Sequence, residues 1–223
     1  MTDILIRARG LTKSFGAVTA IAEATFEITA GDQIALVGPS GSGKSTLLHL
    51  IAAIDQPTGG DIDWPALGGP ETLRPSQVAV AFQGPSLLPP LTVAENIALP
   101  ILLAGGKEDV AAVAAEGLIE RLGLTDVAAK LPEEISGGQA QRAGLARALV
   151  GTPRLILADE PTGQLDRATA KFLMATLLDH VESTQAALIV ATHDGAVADS
   201  LPLRWHMNDR RLMTGAEMTG AEQ

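Results

Sequence analysis

Residues 38–46 read GPSGSGKST, directly after the apolar run Ile34–Val37 and directly before Leu47, Leu48, Leu50 and Ile51. A strand that stops at a glycine-rich loop, which itself opens a helix, is the context that a phosphate-cradling P-loop requires. Gly38, Gly41 and Gly43 let backbone N–H groups turn inward around phosphate oxygens, and the helix N-terminus behind them adds its positive end. Pro39, Ser40 and Ser42 complete the loop. Lys44 is spaced to reach the terminal phosphates, the Ser45 hydroxyl to hold Mg²⁺, and Thr46 continues into the helix. A flexible Gly/Ser linker would have no need of the strand and helix that bracket this stretch. Nucleotide binding is the expectation, on a core built from parallel strands and helices.

The totals narrow the rest. A chain of 223 residues buries one good core, with room for an inserted subdomain but hardly for two independent domains. A net charge of −10 argues against a polyanion as the main partner, so no nucleic acid is expected. Without cysteine there is no disulfide framework, thiolate metal site or thiol nucleophile, which fits a reducing cytoplasm. The start, MTDILIRARG, lacks the order of a secretory signal. The longest apolar stretch, near Ile97–Ala104, is interrupted by Pro100 and falls far short of the ~20 residues a membrane span needs. Any membrane part must come from another chain.

Along the chain, residues 4–9 alternate as a half-buried strand does, and Ala24–Ile28 and Gln33–Val37 read as two more, joined by a turn at Ala30-Gly31-Asp32. Phe15 falls in the loop after the first strand, either as a platform for a stacked base or as a core aromatic. The stretch from Asp55 to Gln77 is rich in Gly and Pro and predicts turns and short strands. Val78–Phe82 reads as a buried central strand, and Gln83 at its end either contacts a metal and water or caps a loop. Ala94–Leu103 and Glu108–Leu122 are expected helices within a largely helical stretch, residues 84–150.

That stretch ends in ISGGQAQRAGLARAL. Ser136 is a good N-cap with Gln139 at N3, a capping box. Gly137 and Gly138 are poor for helix stability but suit a backbone that something anionic must approach; a plain Gly-rich turn remains the other reading. Arg154–Asp159 is a buried strand ending in Asp159 and Glu160, so one acid can serve a metal and the other an attacking water. Pro161 is expected to hold Glu160 extended. Arg167–Ser183 is an amphipathic helix, and Ala187–Thr192 is a buried strand that ends at His193, either a structural histidine, as a lone one usually is, or one placed to contact a γ-phosphate. Residues 203–212 suggest a hairpin turning near Asn208-Asp209, and the tail after Thr214 is expected to fray.

The order GPSGSGKST, Gln83, ISGGQ, LILADEP, GQLD, His193 resembles the ATP-binding-cassette (ABC) ATPases from Leu11 to about Leu212. The likeness implies one domain over residues 1–223: a RecA-like α/β P-loop core with an antiparallel β arm (1–83 and 151–223), carrying an inserted α-helical signature subdomain (84–150). It also implies an ATPase that needs ATP and Mg²⁺ and pairs head to tail as a homodimer. By the same likeness Phe15 stacks on adenine, Lys44 and Ser45 hold phosphate and Mg²⁺, Gln83 is the Q-loop residue and a metal ligand, and Asp159 is the metal-binding acid. Glu160 becomes the general base and His193 the switch histidine. Ser136, Gly137, Gly138 and Gln139 contact the ATP of the other subunit, and Asp166 marks the D-loop.

Ile135 replaces the usual leucine, Gln164 the usual asparagine, and the arm looks shortened before Gln83. FQGPSLLPPLTVAENIALPILLAG and DEPTGQLD look most like the lipoprotein-release and macrolide-export branch (LolD/MacB-like), with FtsE a near relative. That branch implies an FtsX-like permease as partner and a place on the inner face of the cell membrane. A non-transport ABC ATPase acting on nucleic acid or ribosomes, a small-molecule kinase and a regulator without turnover are the rivals. The first is disfavoured by the acidic charge, the second by ISGGQ, and the third by the presence of both Glu160 and His193.

Overall fold

In the computed structural model, residues 3–84, 86–163 and 165–215 are described, and they form two units: residues 1–73 with 187–223, and residues 74–186. Pro85 of the proline-punctuated loop, Gln164, and the tail from residue 216 onward lie outside the described residues.

The first unit begins with β1 (Ile4–Phe15) and β2 (Val18–Thr29), an antiparallel pair, and β4 (Gly59–Asp63) lies antiparallel on the other edge of β1. Both first strands run longer than the alternation predicts. Gly10, at φ +55°, and register shifts between Ala8 and Leu11 bulge β1, so the two-residue period slips before resuming at Leu11 and Lys13. Phe15 is therefore the last residue of a strand at a hairpin tip, not a loop residue.

β3 (Gln33–Val37) pairs in parallel with β7 (Ala187–Thr192) on one side and with β8 (Leu203–Asn208) on the other. Both flanks of β7 are buried from Ala187 to Thr192, which is why it reads as a continuous apolar run. β8 turns at Asp209-Arg210 into β9 (Arg211–Met213), as the sequence suggests, and β9 meets β2 at Glu23 and Arg211. α1 (Lys44–Ile51) buries Leu47, Leu48, Leu50 and Ile51, and the Trp64 indole donates to the Ile51 carbonyl at 2.9 Å, closing the helix end. Trp205 packs at a tilt against Phe26, ring centroids 5.2 Å apart. The short α6 (Gly195–Ala198) follows β7, capped by Asp194.

In the second unit β5 (Val78–Ala81) pairs in parallel with β6 (Leu155–Asp159), Ala81 opposite Ala158. β6 is buried throughout, but Ala79 and Val80 are half-buried and Phe82 is exposed. Among the described strands β5 pairs only with β6, so it is an edge strand and not the buried central strand that its composition suggests. Helices α2 (Val93–Leu103), α3 (Glu108–Arg121) and α4 (Gly137–Leu149) pack on one another, and α5 (Arg167–Thr184) precedes β7. The capping box predicted at α4 is present: Ser136 Oγ accepts from the Gln139 N–H at 3.3 Å, and Gln139 Oε1 accepts from the Ser136 N–H at 2.8 Å. Among the described residues, no helix is long and apolar enough to cross a membrane.

Candidate functional site

The loop from Gly38 to Gly43 connects β3 to α1, as its flanks predict. Gly43 is the N-cap of α1 at φ +106°, and no side chain caps the helix, so its first N–H groups remain available to an anion. A Cβ on Gly43 would stand 2.5 Å from the Ala20 carbonyl oxygen, so only glycine lets the loop lie this close to β2. The buried Lys44 ammonium is held over the loop, donating to the Gly38 and Pro39 carbonyls at 2.8 and 3.1 Å. Ser42 is buried, and its Oγ has no hydrogen-bond partner. A buried orphan hydroxyl, glycine-only backbone and uncapped N–H groups fit a polyphosphate.

Ala20 leads from the loop to Phe15. It lies two residues from Val18, which pairs with Phe15 across the hairpin, a separation of about 7 Å along the strand. Phe15 is 53% exposed, which removes the core-aromatic reading. The Lys13 ammonium lies 4.7 Å from its ring centroid and is itself fixed by Asp55 and by the Gln56 carbonyl. That hydrogen bond from Lys13 lowers the Asp55 carboxyl below its usual range. Lys13 was not singled out from the sequence, although strand periodicity puts it on the same face as Phe15. His193 belongs to the same unit. Val37 pairs with Thr192, so the first residue of the glycine loop and His193 leave adjacent parallel strands at the same level, and His193 is exposed there.

The second unit assembles its own group. With Ala81 opposite Ala158, two further residues along each chain bring Gln83 and Glu160 to the same end of the β5–β6 pair. Asp159 is buried as the last residue of β6, Glu160 is half-buried, and Gln83 is exposed. Glu160 is not extended. Its φ is +48°, because the chain reverses at once and the Gly163 N–H donates to the Glu160 carbonyl at 3.1 Å. The turn overrides the preference that Pro161 imposes. The Pro161 carbonyl in turn accepts from the buried Gln141 side chain at 3.2 Å.

Gly138, in the first turn of α4, faces Leu165 so closely that an added Cβ would lie 3.3 Å from its Cδ2, a packing reason for one of the paired glycines. Asp166 caps α5, accepting from the Ala168 and Thr169 N–H groups at 3.0 Å each and from the Thr169 hydroxyl. The hydroxyl bond is the leading cause that lowers its pKa. Two more residues matter that sequence reasoning missed. Arg147, on α4, donates to the carbonyl and hydroxyl of Ser86 at 2.9 and 2.7 Å, and burial lowers its pKa. Asn96, fully buried in α2, holds the Leu88–Thr92 backbone through four hydrogen bonds. An asparagine in a helix interior is the signal that could have found it.

The profile of the ABC transporter family matches residues 21–163. The lipoprotein-releasing system ATP-binding protein LolD of Legionella pneumophila (strain Paris) is 40% identical over 212 residues, covering 90% of this chain and 93% of that protein. LolD of Gluconobacter oxydans is 39% identical over 219 residues, with 93% and 95% covered. An uncharacterized ABC transporter ATP-binding protein of Mycobacterium tuberculosis is 43% identical over 176 residues, with 76% and 71% covered. Among solved structures, the dimeric post-hydrolysis state of the ATP-binding cassette MJ0796 bound to ADP and Pi superposes with a TM-score of 0.85 at 30% identity, covering 94% of this chain and 98% of that one.

Proposed function

From the premise that this chain belongs to the ABC transporter family, as its ATP-binding, ATP-hydrolysing subunit, we propose that it drives a separate FtsX-like permease in lipoprotein release or macrolide-type export. The proposal takes its branch from the LolD relatives, which share the chain nearly end to end. The observation that carries the chemistry is the loop between β3 and α1: backbone open to an anion, a buried orphan Ser42 hydroxyl, and Lys44 poised above it.

In this reading the adenine stacks on the face of Phe15 left open by Lys13, and the uncapped N–H groups at the start of α1 hold the phosphates with Lys44. Ser45, Gln83 and Asp159 are the proposed Mg²⁺ ligands, a hydroxyl, an amide and one carboxylate, the hard oxygen set this ion takes. Held by these residues, Mg²⁺ would neutralise phosphate charge. Glu160 accepts a proton from the water that adds to the γ-phosphorus while the bond to the β-phosphate oxygen breaks and ADP leaves. Gln83 and His193 position that water and the γ-phosphate.

Two copies pair as a homodimer, and Ser136–Gln139 of the second copy close the site through the N–H groups of Gly137 and Gly138, which the capping box of Ser136 and Gln139 does not use. Asp166, which caps α5 in its own chain, marks the D-loop at that interface. The permease places the complex on the inner face of the cell membrane and docks a short helix near residues 83–90, where Leu88 is exposed on backbone fixed by Asn96 and Arg147. A groove of about 420 Å³ between α2 and α3, lined by alanines and by Glu95, Glu108, Glu116 and Glu120, gives an amphipathic basic helix a surface to seat on. The test is Glu160→Gln. Turnover should fall by about 10²–10⁴, the contribution of a positioned base, while ATP-dependent dimers persist; hydrolysis at the wild-type rate would remove Glu160 from its role.

A further inference from the structure

A cavity of about 390 Å³ lies against the first half of the P-loop. One wall is Pro39 to Ser42, and the other is Asn208 to Arg210, the turn that joins β8 to β9. The two walls are in close backbone apposition: a Cβ on Gly38 would collide with the Met207 carbonyl. The orphaned, buried hydroxyl of Ser42 belongs to this wall.

The turn itself is unusual. Asp209 and Arg210 stand at φ +45° and +64°, both left-handed, the geometry of a two-residue hairpin turn. Such a turn favours Asn, Asp or Gly at its first position and glycine at its second. Asp209 therefore needs no further explanation. Arg210 does, because an arginine carries strain where glycine would carry none. The turn is tied to β2 as well, since the Ala22 N–H donates to the Arg210 carbonyl at 2.7 Å. Among the described residues no hydrogen bond or ion pair engages the Arg210 guanidinium, and the residue is exposed. The left-handed Arg210 thus places an unpaired, solvent-facing cation at the wall of this cavity, opposite the P-loop residues Pro39 to Ser42.

We propose that Arg210 is a second cation for the phosphate chain of the nucleotide, raising affinity from the hairpin side of the loop while Lys44 acts from within it. This rests on the P-loop reading above. Its chemistry is that of a solvent-facing guanidinium beside a polyphosphate: attraction without a rigid bidentate contact, and therefore sensitive to salt.

The experiment compares the full-length wild type with Arg210→Gly, Arg210→Lys and Lys44→Ala. It measures the thermal midpoint without nucleotide, and the Kd of a fluorescent N-methylanthraniloyl ATP at low and high NaCl. Arg210→Gly should melt no lower than wild type, because glycine suits the turn, yet bind the probe about fivefold more weakly at low salt, the order expected of one solvated charge. The gap should narrow at high salt, and Arg210→Lys should bind close to wild type. An Arg210→Gly protein with wild-type Kd at both salts overturns the proposal, and so does one whose lower affinity is matched by a lower melting midpoint. Lys44→Ala separates the two readings: unchanged probe affinity there refutes the P-loop site itself, whereas lost binding with Arg210→Gly unaffected refutes Arg210 alone.

Discussion

Asn96→Ala should uncouple the loop that faces the proposed permease from the fold that supports it. The asparagine is fully buried, and its Oδ1 accepts from the Leu88 N–H at 2.7 Å. Its Nδ2 donates to the carbonyls of Leu88, Leu91 and Thr92 at 3.1, 2.9 and 3.0 Å. Not all four bonds count equally. The Leu88 carbonyl still accepts from the Leu91 N–H at 3.1 Å, and the Thr92 carbonyl from the Asn96 N–H at 2.9 Å, so alanine leaves both satisfied. The Leu88 N–H and the Leu91 carbonyl have no other partner among the described residues.

Each orphaned group costs about 1–3 kcal/mol, and because Leu88 is 43% exposed, water reaches it and the lower end applies. Adding the void left by a fully buried side chain gives about 2–4 kcal/mol. Urea unfolding should shift to a midpoint lower by about 1 M. Hydrogen exchange at the Leu88 amide should accelerate, and stimulation of turnover by the permease should be lost. Nucleotide affinity should not move, since Asn96 bonds only the Leu88–Thr92 backbone and none of the proposed ATP or Mg²⁺ ligands. A variant within about 0.5 kcal/mol of wild type, the scatter of neutral substitutions, would refute the assignment of Asn96 as the anchor of this loop.

Two further perturbations read other parts of the account. Gly43→Ala puts a side chain at φ +106° with its Cβ 2.5 Å from a backbone oxygen, so it should cost about 2–4 kcal/mol and lower the melting midpoint by about 5–15 °C; a wild-type midpoint would contradict the close approach of loop and β2. His180 is buried on α5 with an unpartnered Nε2, and burial, then the Arg121 charge, lowers its pKa. The unfolded chain therefore takes up this proton first, so stability is full above the ordinary value of 6.5 and falls as pH drops through the lowered one. Urea titrations between pH 7.5 and 5 should give a shallower pH slope for His180→Gln than for wild type, and equal slopes would remove His180 as the source.

Much of the site was legible because it depends on local pattern. Strand, glycine loop and helix around Lys44, the Ser136–Gln139 capping box, and the buried run ending in Asp159 each announce themselves within about ten residues. What escaped depends on contacts distant in sequence. The bulge at Gly10 hid the second half of β1 and with it the strand position of Phe15. Pro161 suggested an extended Glu160, but a turn closed by Gly163 decides its backbone. Composition made β5 look central, whereas the pairing leaves it at an edge. Arg147 and Lys13 act on residues 61 and 42 positions away, and no spacing rule reaches that far.

The most direct measurement of the central claim is ATP turnover per subunit as a function of protein concentration, made on the isolated chain with Mg²⁺. If the P-loop is half of a site that Ser136–Gln139 of a second copy completes, turnover per subunit should be low when dilute and rise with concentration as dimers form. Wild-type turnover that stays constant across concentrations at which the protein is monomeric would contradict it.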